Sequence, residues 1–447
     1  MGISPDSKNW SEREFGTSDF GDVRLTERLK TLSEQLSADP QSPINGAMNG
    51  DWGATKGAYR FFANPKVTPT KILIPHREAT LSRLRQERVV LAIQDTTYLN
   101  FSGHAKCDGL GFIGTEKLRG VVAHTTLCCS TEGLPLGIID QKLYTRDTVE
   151  ENGVAKRKKL PIALKESSRW LDSQRIISTL DTADTEIVTV CDREGDITQL
   201  LFEAAALNMK YIIRSSSNRT VTGTDAKNLY ELVASSNIAG NIKIPVAARG
   251  GQKAQIVDAT VQYVTTQIAP QNKKFGVLTV TLIRVKSISG TQQLEWNLLT
   301  NLPVENFKQV VEKISWYKLR WHIEQFHKIL KSGCAIEKCR LGTMERLYAS
   351  ITLYSIIAWR LFNLTMCNRL FPLGNALMIL SAEELSALQK LRKKSQTSLI
   401  DQFMSVAEAT RAMAQLGGFL ARKNDGEPGI ITVWRGWNKV NSVACAL

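Results

Sequence analysis

The chain has 447 residues, 43% hydrophobic and 22% charged, a globular composition with ample material for a core and for several structural units. Its 57 Lys and Arg outnumber 43 Asp and Glu, and the net charge of +14 points to a polyanionic partner, nucleic acid before an acidic membrane surface. The polar opening MGISPDSKNWSEREFG lacks the apolar core of a signal peptide, no CxxC occurs, and the apolar stretch 351–367 is broken by Arg360 and Asn363, so secreted, disulfide-stapled and membrane-spanning classes drop out.

Residues 1–88 read as helical. Asp22 to Ser37 places Leu25, Leu29, Leu32 and Leu36 on one stripe, and a Pro/Gly/Asn-rich loop leads to a second helix through Lys56–Phe62 that Asn64-Pro65 ends. From Arg88 the period changes. RVVLAIQDTTYL reads as a buried strand with Asp95 at its exit, GVVAHTTLCCS and LPLGIIDQKLYT as further strands, and Lys156–Leu180 as a helix. EIVTVCD follows as a strand with Asp192 at its exit, then a helix Ile197–Leu207 that Asp196 is placed to cap, then the strand KYIIRSSS. This alternation predicts a mixed α/β domain. Residues 220–304 are β-rich, an all-β insertion within that domain. From 305 on the chain is helical again, with runs Lys308–Lys331, Met344–Asn368, Glu383–Leu391 and Ser398–Leu416. This last third carries 20 basic against 11 acidic groups and holds most of the excess charge. Cys334 and Cys339, with His327 upstream, lack the second pair that a zinc site needs and read as buried thiols.

Carboxylates at strand exits of one sheet can meet at its edge and hold divalent metal ions through oxygen ligands. Asp95 and Asp192 fit that placement, although each is also an ordinary strand terminator, and Glu194 and Asp196 compete with Asp192. At 100° per residue, Tyr317, Arg320, Glu324, Lys328 and Lys331 share one narrow stripe of a helix whose opposite side is Leu319, Ile323, Phe326 and Leu330. An amphipathic helix with a solvated face accounts for the periodicity. A single carboxylate among three cations and a phenol further suits a metal ligand surrounded by phosphate-binding groups.

Tyr317, Arg320, Glu324 and Lys331 form Y-x2-R-x3-E-x6-K, which resembles the signature of the insertion-sequence-four family of DDE transposases. AIQDTT around Asp95, CDREGDI around Asp192, YIIRS around Arg214, LEWNLLTNLPV around Trp296 and EQFHK after Glu324 are similar to that family too. So are GAYRFFANPKV near the N-terminus and VWRGW near the C-terminus, so the resemblance spans nearly the whole chain. It implies a helical end-DNA-binding domain over 1–70, a ribonuclease-H-like catalytic domain over 71–370 with the β-rich insertion at about 220–304, and a helical dimerisation domain over 371–447. It implies that Asp95, Asp192 and Glu324 hold two Mg2+ ions, with Mn2+ as a substitute. Tyr317, Arg320, Lys328, Lys331 and Arg214 would contact DNA, and Trp296 would stack on an extruded base. The implied activity is cut-and-paste transposition: nicking at transposon ends, hairpin formation and resolution, and joining of the 3′ ends to target DNA by a homodimer, on DNA in a bacterial cytoplasm. A non-catalytic regulator of transposition and a ribonuclease-H-type nuclease are the competing readings. The intact acid set argues against the first, and the N-terminal head against the second.

Overall fold

The computed structural model describes residues 9–104, 106–146, 161–246, 254–269, 276–288, 293–393, 404–422 and 425–444. Two compact units divide the chain: residues 1–86, 96–151 and 324–447 form one, and residues 87–95 and 152–323 form the other. The divisions fall inside a strand, after Asp95, and inside a helix, before Glu324.

The first unit opens with helices α1 (Trp10–Phe15), α2 (Val23–Ala38), α3 (Ile44–Ala47), α4 (Trp52–Ala63) and α5 (Pro69–Leu84). Leu29, Leu32 and Leu36 of the expected stripe are fully buried. Asp22 caps α2 through the Arg24 amide, and Asp51 caps α4 through the Gly53 and Ala54 amides. Thr68 caps α5, with Pro69 in the first turn where its missing N–H costs nothing. α1 and α5 lie within the stretch expected to be helical, but neither shows a stripe of its own: α1 is six residues long, and the apolar residues of α5 follow no single stripe. β2 (Gly111–Ile113), β3 (Thr115–Ser130) and β4 (Pro135–Tyr144) form an antiparallel set with β3 between the others.

The second unit is built on three parallel strands, β1 (Val89–Asn100), β5 (Glu186–Cys191) and β6 (Lys210–Arg214), with β5 in the middle. Their near-continuous apolar runs suit a sheet covered on both faces. Of the helix expected over 156–180, only α6 (Ser168–Ser178) forms among the described residues: Ile162–Leu164 is a 3-10 turn instead, and residues 147–160 lie outside the described residues. α7 (Thr198–Ala206) links β5 to β6. Asp196 does not cap it: the N-cap position is Ile197, without a side-chain bond. The β-rich stretch then supplies β7 (Val221–Thr222), β8 (Gly240–Val246), β9 (Gln255–Ile268), β10 (Leu278–Ser287) and β11 (Glu295–Thr300), with one short helix, α8 (Leu229–Ser235), among them. β11 pairs antiparallel with β6 and β10 with β11, so these strands continue the parallel sheet.

The expected helix Lys308–Lys331 is broken. α9 (Phe307–Lys318) ends before α10 (Trp321–Lys328), and a π-helical turn follows at Ile329–Gly333. At the break the amides of Leu319, Arg320 and His322 bond three residues back, to Trp316, Tyr317 and Leu319, a tightening that turns the helix face.

The chain returns to the first unit with α11 (Met344–Leu370), α12 (Ala382–Lys393), α13 (Val406–Leu416) and α14 (Ile430–Ala444). α11 is a buried helix as expected: Trp359 and Asn363 both donate to the Pro135 carbonyl, at 3.0 and 2.8 Å. Among the described residues, no helix is long and apolar enough to cross a membrane. Ser405 and Glu408 form a capping box at the start of α13. α14 crosses α13 closely at Gly436, where a methyl group would lie 1.5 Å from the Met413 carbonyl oxygen.

Two buried polar clusters fasten this unit. His76 donates through Nδ1 to Glu14 at 2.6 Å and accepts the Ile138 amide at Nε2, which fixes a neutral ring, while Arg83 donates to Glu14 at 2.6 Å. The second is centred on Arg360, which lies between the rings of Trp10 (4.5 Å) and Trp437 (4.3 Å) and 3.5 Å from Glu384. Burial opposes ionisation of Glu14, but Arg83 and His76 outweigh it and hold the carboxyl at about 2, against an ordinary 4.5. Burial holds His76 below the ordinary histidine range, against the pull of Glu14. Both groups therefore bind protons more readily unfolded than folded. Their stabilisation is full above the histidine range and is lost as pH falls, first through that range and then between about 4.5 and 2. Melting temperature should decline through both windows, and Glu14→Gln should flatten the lower one.

Candidate active site

The parallel pairing of β1 with β5 aligns Val89 with Glu186 and Ile93 with Val190. Continued by two residues, that register sets Asp95 beside Asp192. Asp192 stands directly after β5, as expected, and its Oδ1 accepts the Glu194 amide at 2.8 Å in a 3-10 turn. Asp95 is not at a strand end, because β1 runs on to Asn100. It sits instead where the partner strand β5 stops. Both aspartates are half-buried, and the Cys191 thiol beside them is fully buried. Burial pushes that thiol well up, the charges of Asp192 and Asp95 add to the rise, and Arg320 opposes it.

The competing acids are engaged elsewhere. Glu194 pairs with Arg169 at 2.8 Å. Asp196 accepts the backbone amides of Ser216 and Ser217 at 2.7 and 2.8 Å and pairs with Arg219.

Next to the aspartates, β6, β11 and α9 contribute a second group. Arg214 ends β6 opposite Leu298 of β11 and donates to the Glu295 carbonyl at 3.1 Å. The Trp296 ring meets the Tyr317 ring edge-on, with centroids 5.4 Å apart, and Trp296 is half-exposed. Tyr317 is buried, contrary to the solvated stripe, because the break after Lys318 separates it from the face of α10. Its hydroxyl is hydrogen-bonded to Arg320 and Arg214, and burial raises it above the ordinary tyrosine range. Burial in turn lowers Arg214. Arg193, exposed in the turn after Asp192, adds positive charge near Arg214. Arg193 lies within CDREGD, but no periodicity or spacing marks it there as a cation of the site.

Glu324, Lys328 and Lys331 belong to the first unit. Glu324 and Lys328 lie one turn apart on α10, half-buried and exposed respectively, while Ile323, Phe326 and Leu330 are buried as expected. Lys331 falls in the π turn and is lowered by burial. His327 is buried and pushed down to about 3, so it is neutral. Cys334 and Cys339 form no disulfide, and burial raises both thiols.

Paired aspartate oxygens at adjoining strand positions are hard donors of the kind that Mg2+ and Mn2+ prefer. Among the described residues, no group of three or more His, Cys, Asp or Glu side chains is close enough to hold a metal ion. The Asp95–Asp192 pair fits as part of a donor set, not as a complete one.

Three family models match the chain. Transposase DNA-binding covers residues 7–67, Transposase DDE domain covers 171–360, and Transposase Tn5 dimerisation domain covers 356–445.

Proposed function

We propose a cut-and-paste reaction for this chain, which belongs to the Tn5-like DDE transposases. Members of that family cleave DNA and transfer strands with divalent metal ions on a ribonuclease-H-like core. The DNA-binding and dimerisation matches support DNA as a partner and a homodimer as the form that works on it. The finer reading is that it nicks transposon ends, forms and resolves hairpins there, and joins the 3′ ends to target DNA. The β1–β5 register, which sets Asp95 beside Asp192, is the observation that supports the metal-dependent cleavage in this reading.

Asp95, Asp192 and Glu324 would hold two Mg2+ ions, or Mn2+ in their place. When bound, the metal supplies Lewis-acid stabilisation of the charge that builds on the reacting phosphoryl oxygens. The protein's own groups do the positioning. Arg320 and Arg214 present guanidinium groups that match phosphate oxygens two at a time. Lys328 and Lys331 would add point charges for phosphates, and Tyr317 orients the two guanidinium groups through its hydroxyl. Trp296, held edge-on by Tyr317, offers a face on which an extruded base can stack, offsetting part of the cost of flipping it.

Time courses of nicked, hairpin and double-strand-break products on a labelled end duplex test the sequence of steps. Trp296→Ala should leave melting temperature and first-strand nicking near the parental values. Hairpin formation should slow, because base stacking on an aromatic ring contributes about 1–3 kcal/mol. A tryptophan that only filled a core would cost roughly 3–5 kcal/mol of stability and impair all steps together.

A further inference from the structure

The Asp196 side chain has no solvent exposure. Its Oδ2 accepts the Ser216 amide at 2.7 Å, the Ser217 amide at 2.8 Å and the Ser216 hydroxyl at 3.3 Å, while Oδ1 lies 2.5 Å from the Arg219 guanidinium. These bonds fasten the segment that leaves β6 immediately after Arg214. The same segment is tied from its other side. The Ser215 amide donates to the Asn297 carbonyl at 2.6 Å, one residue from Trp296, and the Tyr230 hydroxyl donates to Ser215 Oγ at 3.0 Å. Bonds from amides to a carboxylate that is paired with a cation are stronger than bonds to a neutral acceptor, so Asp196 adds a strong anchor to this set.

We propose that Asp196 is a positioning residue that acts through Arg214 and Trp296. By fixing the chain where it leaves β6, it sets where the guanidinium and the indole stand relative to Asp192. The carboxylate is needed because its surroundings are all donors. An asparagine would serve the two backbone amides with its oxygen and turn its NH2 group toward Arg219, donor against donor. This proposal rests on the DNA roles assigned above to Arg214 and Trp296.

The test is Asp196→Asn in the full-length protein, read by single-turnover cleavage of an end duplex at saturating DNA and by the dissociation constant for that duplex. Cleavage should fall about a hundredfold, the loss expected of a misplacement near 1 Å, with the dissociation constant little changed. Adding Arg214→Ala should slow cleavage no further than the slower single variant, because positions acting through one another are non-additive. Should Asp196→Asn not fold, Arg219→Met keeps both backbone bonds. It should then show a smaller loss in the same rate, with the same non-additivity. Parental cleavage by Asp196→Asn, or defects that multiply in the double variant, would overturn the proposal. Parental cleavage by Arg214→Ala alone would instead overturn the DNA role of Arg214, and the double variant with Trp296→Ala, read by its rate of hairpin formation, would then decide for Asp196: a rate below that of the slower single variant would overturn the proposal.

Discussion

Asp192→Asn should stop DNA cleavage while end-duplex binding and folding stay near the parental values. The substitution keeps shape and the Oδ1 bond to the Glu194 amide, and removes only the charge. Each factor of ten in rate corresponds to about 1.36 kcal/mol of transition-state stabilisation, and a metal site supplies several kcal/mol, so a loss of roughly a thousandfold or more is expected. Asp95→Asn should behave alike, since the β1–β5 register makes the two residues neighbours. Glu194→Gln is the control that discriminates. Glu194 is held by Arg169, and its loss should leave cleavage largely intact. If Glu194→Gln stopped cleavage and Asp192→Asn did not, the assignment of the acids would be wrong.

Arg360→Leu should cost about 3–5 kcal/mol of stability, because it leaves Glu384 buried without its cation. Arg360 and Glu384 are only 7% and 4% exposed, and burial pushes the guanidinium down to about 9. The variant also strips a cation from between two indole rings. A lowered melting temperature, on the order of 10 °C, is the readout. Pairing it with Glu384→Leu should recover part of the loss, since well-packed apolar residues can replace a buried ion pair at little cost. A single variant as stable as the parent would show that the ion pair contributes nothing net.

Much of this was legible in the sequence. The leucine stripe of α2, the apolar strands β1, β5 and β6, and the buried α11 follow from periodicity alone. The acids were legible as residue types at strand ends, but not as a pair. Periodicity does not show that β1 and β5 are adjacent and parallel, nor that β1 continues past Asp95. Asp192 could not be separated from Glu194 and Asp196 by spacing, because all three stand within five residues. Their different partners, Arg169 for Glu194 and the Ser216–Ser217 amides with Arg219 for Asp196, are long-range contacts. The helix stripe failed at Tyr317 for a similar reason. One hundred degrees per residue assumes an unbroken helix, and three tightened hydrogen bonds after Trp316 shift the face.

The Arg360 cluster also sets a schedule for folding on the ribosome. Trp10 closes one side of the guanidinium and Trp437 the other, so the walls of one small cluster come from opposite ends of the chain. At about 5–20 residues per second, the second tryptophan is synthesised roughly 20–90 s after the first. For that interval α1 can shape itself locally, but the surface on which Arg360 and Trp437 settle against it does not yet exist. Closure of this cluster is therefore a late event with a long loop to close, while the Glu14–His76–Arg83 cluster can fasten α1 to α5 much earlier.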